Sequence, residues 1–362
     1  MTANEMDQTK AEEFAERMIG ILNSGALALM SSIGHRTRLF DVMSGLPPST
    51  SEQIAKAASL NERYVREWLG AMVTGSIVEY DADYGTYRLP PEHAAFLIRA
   101  ATPDNIAAFT QYIPLLGTVE DPIVECFKNG GGVPYTAFGR FQEIMAEDSG
   151  QTVVAALMDS IIHLVPGLVA GLDSGIEVLD VGCGSGRAII LMAKSFPKSR
   201  FSGYDFSEEA IATGRAAAEQ QGLTNVRFEV KDVTALDASE QYKLITAFDA
   251  IHDQAQPADV LKEIANALHP DGTFLMQDIA ASSYVHKNID HPVGPLLYTL
   301  SCMHCMTVSL ALNGAGLGAM WGEEKAREML QEAGFTEIEV KKLPHDFQNI
   351  YYIIKKSWKN PT

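Results

Sequence analysis

Basic residues are scarce in this chain: 28 Lys and Arg stand against 46 Asp and Glu in 362 residues, a formal net charge of −18. Binding to nucleic acid or to an anionic bilayer rests largely on Lys and Arg meeting phosphates, so this balance argues against both partners. Cysteine is sparse too, and four residues without regular spacing over the chain do not make a disulfide framework. The opening residues, Met1 to Asp7, lack the basic stretch and apolar core of an export signal. The longest unbroken apolar run near them, Ala26 to Met30, is too short to span a bilayer. Internal repeats and low-complexity tracts are missing as well. Together these absences predict a cytoplasmic protein that does not enter membranes. What is plentiful is core-forming material: 46% of residues are hydrophobic, in a length that suits two domains.

The most informative stretch is Ile176-Glu177-Val178-Leu179-Asp180-Val181-Gly182-Cys183-Gly184-Ser185-Gly186-Arg187. Its apolar, β-branched start reads as a buried parallel strand, and the glycines then turn the chain into a helix. Without Cβ atoms, Gly182 and Gly184 let a ligand lie against the backbone, while Gly186 lets the helix start close to the sheet. Asp180 sets a negative charge at the ligand end of the strand, which would repel a pyrophosphate and attract a cationic sulfonium. S-adenosylmethionine is therefore expected rather than a dinucleotide. Arg200 to Asp205 reads as the next strand, and Asp205, 23 residues beyond Gly182, stands where a βαβ unit places a carboxylate for ribose hydroxyls. Phe206 follows it directly. Val226 to Val230 reads as the third strand and runs into Asp232 and Val233, with Asp232 able to accept from an adenine amino group.

Further strands are expected at Lys243–Phe248 and Thr273–Asp278, and two more around Ile338 and Tyr352, with helices at Pro257–Leu268 and Glu323–Ala333. The fold class is α/β: a Rossmann-like, doubly wound, seven-stranded sheet ending in an antiparallel hairpin. Before it lies a mainly helical region. Residues 11–34 read as one or two amphipathic helices carrying Phe14, Met18, Ile21 and Leu22. Helices at Arg36–Met43, Glu52–Ala58 and from Asn61 to Met72 follow, then a hairpin of Ile77–Tyr80 and Thr86–Leu89, which makes a winged helix. From Ser49 to Pro90 four basic residues face six acidic ones, a poor match to DNA. The expected divisions are 1–98, a helical linker at 99–149, and 150–362 with an insertion at 280–320.

From roughly Gly150 to Lys356 the chain resembles the class I S-adenosylmethionine-dependent methyltransferases, on the glycine motif and the strand-end acids quoted above. That resemblance implies that Gly182, Cys183 and Gly184 line the methionine portion, that Asp205 holds the ribose, and that Asp232 and Val233 flank the adenine. With the winged helix, the chain is similar to two-domain small-molecule O-methyltransferases, in which this module dimerises and walls the acceptor pocket. A homodimer acting on a small-molecule acceptor is the implied assembly.

Asp249-Ala250-Ile251-His252-Asp253 follows the fourth strand, at the edge where the cofactor is expected. Transfer to a hydroxyl requires loss of its proton, and a phenol with a pKa of about 10 stays protonated at neutral pH, so a histidine suits the role of base. His252 and Asp253, with Asp278 at the end of the fifth strand, resemble the catalytic His-Asp pair and later Glu of plant-type O-methyltransferases. By that match His252 is the base and Asp278 orients its ring. The plant-type motif continues with Trp, where this chain has Gln254. Capping of a loop and helix is the other role open to His252 and Asp253, and Asp249 reads as a helix-side cap or an acceptor contact.

Two further segments bear on the acceptor. Tyr135, Phe138 and Phe141 follow Gly130-Gly131-Gly132 and either pack a helix or form a lid. In the insertion, Cys302 and Cys305 stand near histidines, but without a second cysteine pair and within an apolar helical run. No metal is expected there; Met303, His304 and Met306 instead suit a wall for a flat, apolar acceptor. Nitrogen, carbon or sulfur acceptors stay open beside oxygen, as does a ligand-sensing winged-helix transcriptional regulator.

Overall fold

The computed structural model describes residues 6–344 and 346–356. The chain falls into two compact units, one ending at Gly117 and the other beginning at Thr118.

In the first unit the region expected as one or two helices is a single helix, Gln8–Arg36, capped by Asp7, which accepts from the Lys10 amide at 3.2 Å. Its C-terminal half is built into the unit: Leu27 and Met30 pack on a core containing Phe40, Trp68 and Leu69, and Trp68 Nε1 donates to the Met30 carbonyl at 2.8 Å. Its N-terminal half leaves Phe14, Met18, Ile21 and Leu22 exposed. This is the one straight helix among the described residues long and apolar enough to cross a membrane, with a mean hydropathy of 1.2 over 18 residues. Its apolar residues form no long unbroken run, because Gly20, Asn23, Ser24, Gly25, Ser31 and Ser32 interrupt them while leaving the average high.

The winged helix follows with shorter edges than expected. Helix Leu39–Ser44 starts late because Arg38 takes a left-handed φ of 61° after the first helix ends. Thr50 and Gln53 form a reciprocal capping box at Ser51–Ala58, and Asn61 caps Glu62–Thr74. The hairpin pairs β1 (Glu79–Asp81) with β2 (Thr86–Arg88). Ile77 and Val78 stay outside it because both amides donate to the Met72 carbonyl and close the preceding helix.

The second unit carries a seven-stranded sheet made of β3 (Glu177–Val181), β4 (Arg200–Asp205), β5 (Val226–Val230), β6 (Tyr242–Phe248), β7 (Leu268–Ile279), β8 (Glu337–Lys341) and β9 (Asn349–Lys355). Their order is β5-β4-β3-β6-β7-β9-β8, with β9 antiparallel to both neighbours and the rest parallel. Alternate residues feed two cores. Leu179, Val181 and Ile245 face helices Pro257–Ala267 and Gly322–Glu332, while Val178, Leu244 and Leu275 face Arg187–Ser195 and Glu208–Gln220. A sheet covered on both faces leaves its strand ends as the place for polar side chains. The carboxyl ends of β3, β4, β6 and β7 present Gly182, Asp205, Asp249 and Asp278 along one edge.

Candidate active site

The turn after β3 needs its glycines for different reasons. Gly182, Gly184 and Gly186 have φ of 68°, 52° and 72°, where a Cβ is strained. A Cβ on Gly182 would also meet Ala250 Cβ at 2.5 Å, and one on Gly186 would meet the Phe228 ring at 2.2 Å, so these two bring the turn down onto β6 and β5. A Cβ on Gly184 would meet nothing within 4 Å, which leaves open space on the ligand side of the turn.

Three carboxylates have distinct surroundings. Asp180 is buried and accepts from Thr246 Oγ1 at 2.6 Å, across its register partner on β6. Burial pushes its pKa up to about 7 against the Thr246 hydrogen bond, so near neutral pH the carboxyl is only partly charged. Asp205 accepts from the Gly184 amide through Oδ2 and the Ser207 amide through Oδ1, both at 2.9 Å. Burial raises its pKa and those amides oppose the rise. Each of its oxygens keeps a second lone pair, and Phe206 beside it is exposed. Asp232 is exposed, and the Thr234 hydroxyl and amide hold its pKa down by donating to Oδ1, leaving Oδ2 for another donor. Val233 is buried behind it. Acceptors at Asp205 and Asp232, at the ends of the two strands next to the bare glycine turn, suit a ribose and an exocyclic amino group.

His252 and Asp278 meet directly. His252 is buried, and its Nδ1–H donates to Asp278 Oδ1 at 2.8 Å. The same oxygen accepts from Trp321 Nε1 at 3.0 Å and from the Ile279 amide at 2.8 Å. On the other side of the ring, Nε2 lies 3.2 Å from Asp253 Oδ1. Burial opposes the charged imidazole, but Asp278 and Asp253 outweigh it and hold its pKa well above the ordinary histidine value. For Asp253 burial raises the pKa, and the facing imidazolium overcomes it, leaving about 2. The Cys305 thiol completes this side, with ligand-type atoms of His252, Asp253 and Cys305 within 4.8 Å of one another. Burial, then Asp253, push that thiol up to about 12, so it stays protonated at neutral pH.

The residues expected around an acceptor divide. His304 is buried and neutral, its pKa lowered to about 4 by burial, and Asp253 and His252 act on it electrostatically. Phe141 stacks on it at 3.6 Å and 9°, and Phe138 and Tyr135 meet it edge-on at 4.7 and 5.5 Å. Tyr135 also meets Phe206 at 5.6 Å, and burial, then Asp253 and Asp205, push its hydroxyl above the usual tyrosine range. The aromatic segment thus reaches both the glycine-turn side and the His252 side. Gly132 does not serve as a free hinge: a Cβ there would strike the Thr307 carbonyl at 2.1 Å, and the Val133 amide donates to Thr307 Oγ1. Met306 points elsewhere, lining a cleft of about 680 Å³ with Cys302, Leu310, Ile123 and Phe127. Met303 is half-buried and stands outside the ring contacts. Trp321, Cys305 and Gln277, whose amide donates to Asp249 at 3.0 Å, are site residues that motif reading does not reach.

Residues 172–334 match the family described as a methyltransferase domain, and residues 25–99 match an Rv2258c-like winged HTH domain. The chain joins a winged helix-turn-helix domain to a methyltransferase domain. Among curated proteins, it is similar to malonyl-[acyl-carrier protein] O-methyltransferase of Bacillus cereus, with 26% identity over 43% of this chain and 52% of that one. It is also similar to (S)-coclaurine N-methyltransferase of Papaver somniferum, with 27% identity over 35% of each chain. The chain therefore spans about half or less of the length of these curated relatives. Among solved structures, human N-acetylserotonin methyltransferase in complex with SAM has a similar fold, with a TM-score of 0.65, 16% identity, and 98% of this chain and 100% of that one covered. The methyltransferase domain thus contains the glycine turn, the strand-end acids and the His252–Asp278 pair.

Proposed function

We propose that the protein transfers a methyl group from S-adenosylmethionine to a hydroxyl of a small molecule. The observation that carries this is the buried His252–Asp278 pair, set on the same sheet edge as the glycine turn and Asp205. In this reading Gly182, Cys183 and Gly184 lie against the methionine portion, Asp205 accepts from the ribose hydroxyls, and Asp232, Val233 and Phe206 surround the adenine. The SAM complex of human N-acetylserotonin methyltransferase supports that cofactor. When bound, S-adenosylmethionine supplies an electrophilic methyl on a sulfonium sulfur.

The chain's own residues handle the acceptor. Tyr135, Phe138 and His304 wall the pocket and their rings exclude water, whereas Met306 lines the separate cleft and Met303 stands apart. Asp278 fixes Nδ1 as the donor nitrogen of His252, which leaves Nε2 to take the hydroxyl proton. At neutral pH the acceptor-free imidazole rests protonated between Asp278 and Asp253, because its pKa is raised. Only the neutral ring accepts a proton, so the transfer rate is expected to rise with pH through a midpoint above the ordinary histidine value. A rate profile on a hydroxylated acceptor measures this; a rate already flat from pH about 6 upward would contradict it. Curated relatives include both an O- and an N-methyltransferase, and the proton-accepting pair favours oxygen here.

The test of the activity is release of S-adenosylhomocysteine from a panel of phenols and hydroxylated aromatics, with amines and thiols as controls. Turnover on hydroxyl acceptors is expected; turnover confined to amines or thiols would overturn the assignment. The acidic charge argues against nucleic acid and anionic membranes as partners. The exposed stripe of Phe14, Met18, Ile21 and Leu22 supports a homodimer formed through the first helix. Sedimentation at micromolar concentration should give a dimer that Phe14→Asp with Leu22→Asp dissociates, and a wild-type monomer would contradict it.

A further inference from the structure

Asp249 lies beside the His252–Asp278 pair, and the transfer as proposed gives it no role. It follows β6 with a left-handed φ of 50°, a conformation that Asp tolerates better than most residues. Its Oδ2 accepts from Gln277 Nε2 at 3.0 Å, whereas its Oδ1 is buried and has no hydrogen-bond partner. Asp278 shows the same division: Oδ1 takes the donors from His252, Trp321 and Ile279, and Oδ2 is buried without a partner. Ligand-type atoms of Asp249, His252 and Asp278 lie within 4.8 Å of one another.

Two ionised carboxylates so close and away from water repel strongly, and the imidazolium beside them balances one charge. A proton on the pair removes the repulsion and supplies the missing hydrogen-bond partner. We propose that Asp249 and Asp278 hold one proton between them, so that His252 faces a single net negative charge from that side. Asp249 is then a positioning residue: it acts on Asp278 and, through it, on His252. The other titratable groups that bear on Asp249 are Asp148 and Tyr351, and the Tyr351 hydroxyl donates to Asp346. Burial, then Asp278, push the Asp249 carboxyl well above the ordinary range, in the direction the geometry requires. The shared proton stands without any acceptor; only its consequence for catalysis rests on the transfer proposed above.

The full chain, free of acceptor, serves for the test. Infrared difference spectra at neutral pH, wild type minus variant, should show one carboxylic-acid stretching band that is lost in Asp249→Asn, while the contribution of Asp180, with its pKa of about 7, cancels. The band should disappear in Asp278→Asn as well, because a shared proton needs both carboxyls and Asp249, freed of the Asp278 charge, ionises near the imidazolium. A band that persists in Asp278→Asn means Asp249 is protonated by burial alone, and one unchanged in Asp249→Asn means the proton lies elsewhere. Either result overturns the proposal. Nuclear magnetic resonance adds an independent readout: the His252 titration midpoint should stay in place in Asp249→Asn, where an amide replaces the protonated acid. A move of that midpoint toward acid would show that Asp249 had been ionised and would refute the shared proton. Neither measurement depends on methyl transfer, so this inference can fail while release of S-adenosylhomocysteine stands, and the reverse.

Discussion

Replacing His252 with Ala is expected to slow methyl transfer by about 10²–10⁴-fold, the usual contribution of a positioned general base. The loss should fall on the chemical step. His252 is buried between Asp278 and Asp253, and neither is among the residues assigned to the nucleoside, so affinity for S-adenosylhomocysteine should hardly change. The variant should also lose the rise of rate with pH that the wild type shows above the ordinary histidine range. The sign follows from linkage. A raised folded-state pKa means that the charged pair contributes stability below the unfolded histidine value and loses it as pH rises through the folded value. The form that is competent as a base grows over the same interval. Single-turnover rates on one genuine acceptor at several pH values decide the matter. Full activity in His252→Ala would leave alignment as the whole mechanism and return His252 to a loop role.

Asp278→Ala should be the most damaging single change to stability in the site, costing about 3–5 kcal/mol, as expected when one partner of a buried pair is removed. Three donors lose their common acceptor at once: His252 Nδ1, Trp321 Nε1 and the Ile279 amide. The imidazolium then loses its hydrogen-bonded carboxylate and keeps only Asp253 and the more loosely placed Asp249 beside it. Asp278→Asn keeps one acceptor oxygen in place and should cost less. Trp321→Phe should cost less again, since it deletes a single donor and leaves the carboxylate two others. Urea unfolding of the three variants measures this order. An Asp278→Ala variant as stable as the wild type would show that the carboxylate does not anchor the ring.

Much of this site was legible in the chain because its parts are local. A strand, a glycine turn and a helix start occupy consecutive residues, so the ligand end of β3 follows from Ile176 to Arg187 alone. Asp205, Asp249 and Asp278 follow from the same rule, since each closes or directly follows a strand whose apolar pattern is plain. Contacts between distant segments were not legible. Trp321 lies 43 positions from Asp278, just past the insertion at 280–320, and only the folded insertion brings its indole to the carboxylate. Cys302 and Cys305 read as parts of one apolar helical run, yet the wide π-type turn Ser301–Cys305 sends Cys305 to His252 and leaves Cys302 in the cleft with Met306. Met306 and His304 were grouped on one wall for the same reason: ordinary helical spacing does not hold through that turn. The buried state of Asp180 escaped as well, because its partner Thr246 lies on a different strand.

The central claim is that the edge formed by the glycine turn, Asp205 and Asp232 holds S-adenosylmethionine, and calorimetric titration with S-adenosylhomocysteine tests it most directly. One site per chain is predicted for the wild type. Asp205→Ala, with folding checked by its melting temperature because the carboxylate also accepts from Gly184 and Ser207, is predicted to bind about 10- to 150-fold more weakly, the loss of about 1.5–3 kcal/mol in charge-assisted hydrogen bonds. No heat of binding in the wild type, or an unchanged affinity in a folded Asp205→Ala, would contradict it.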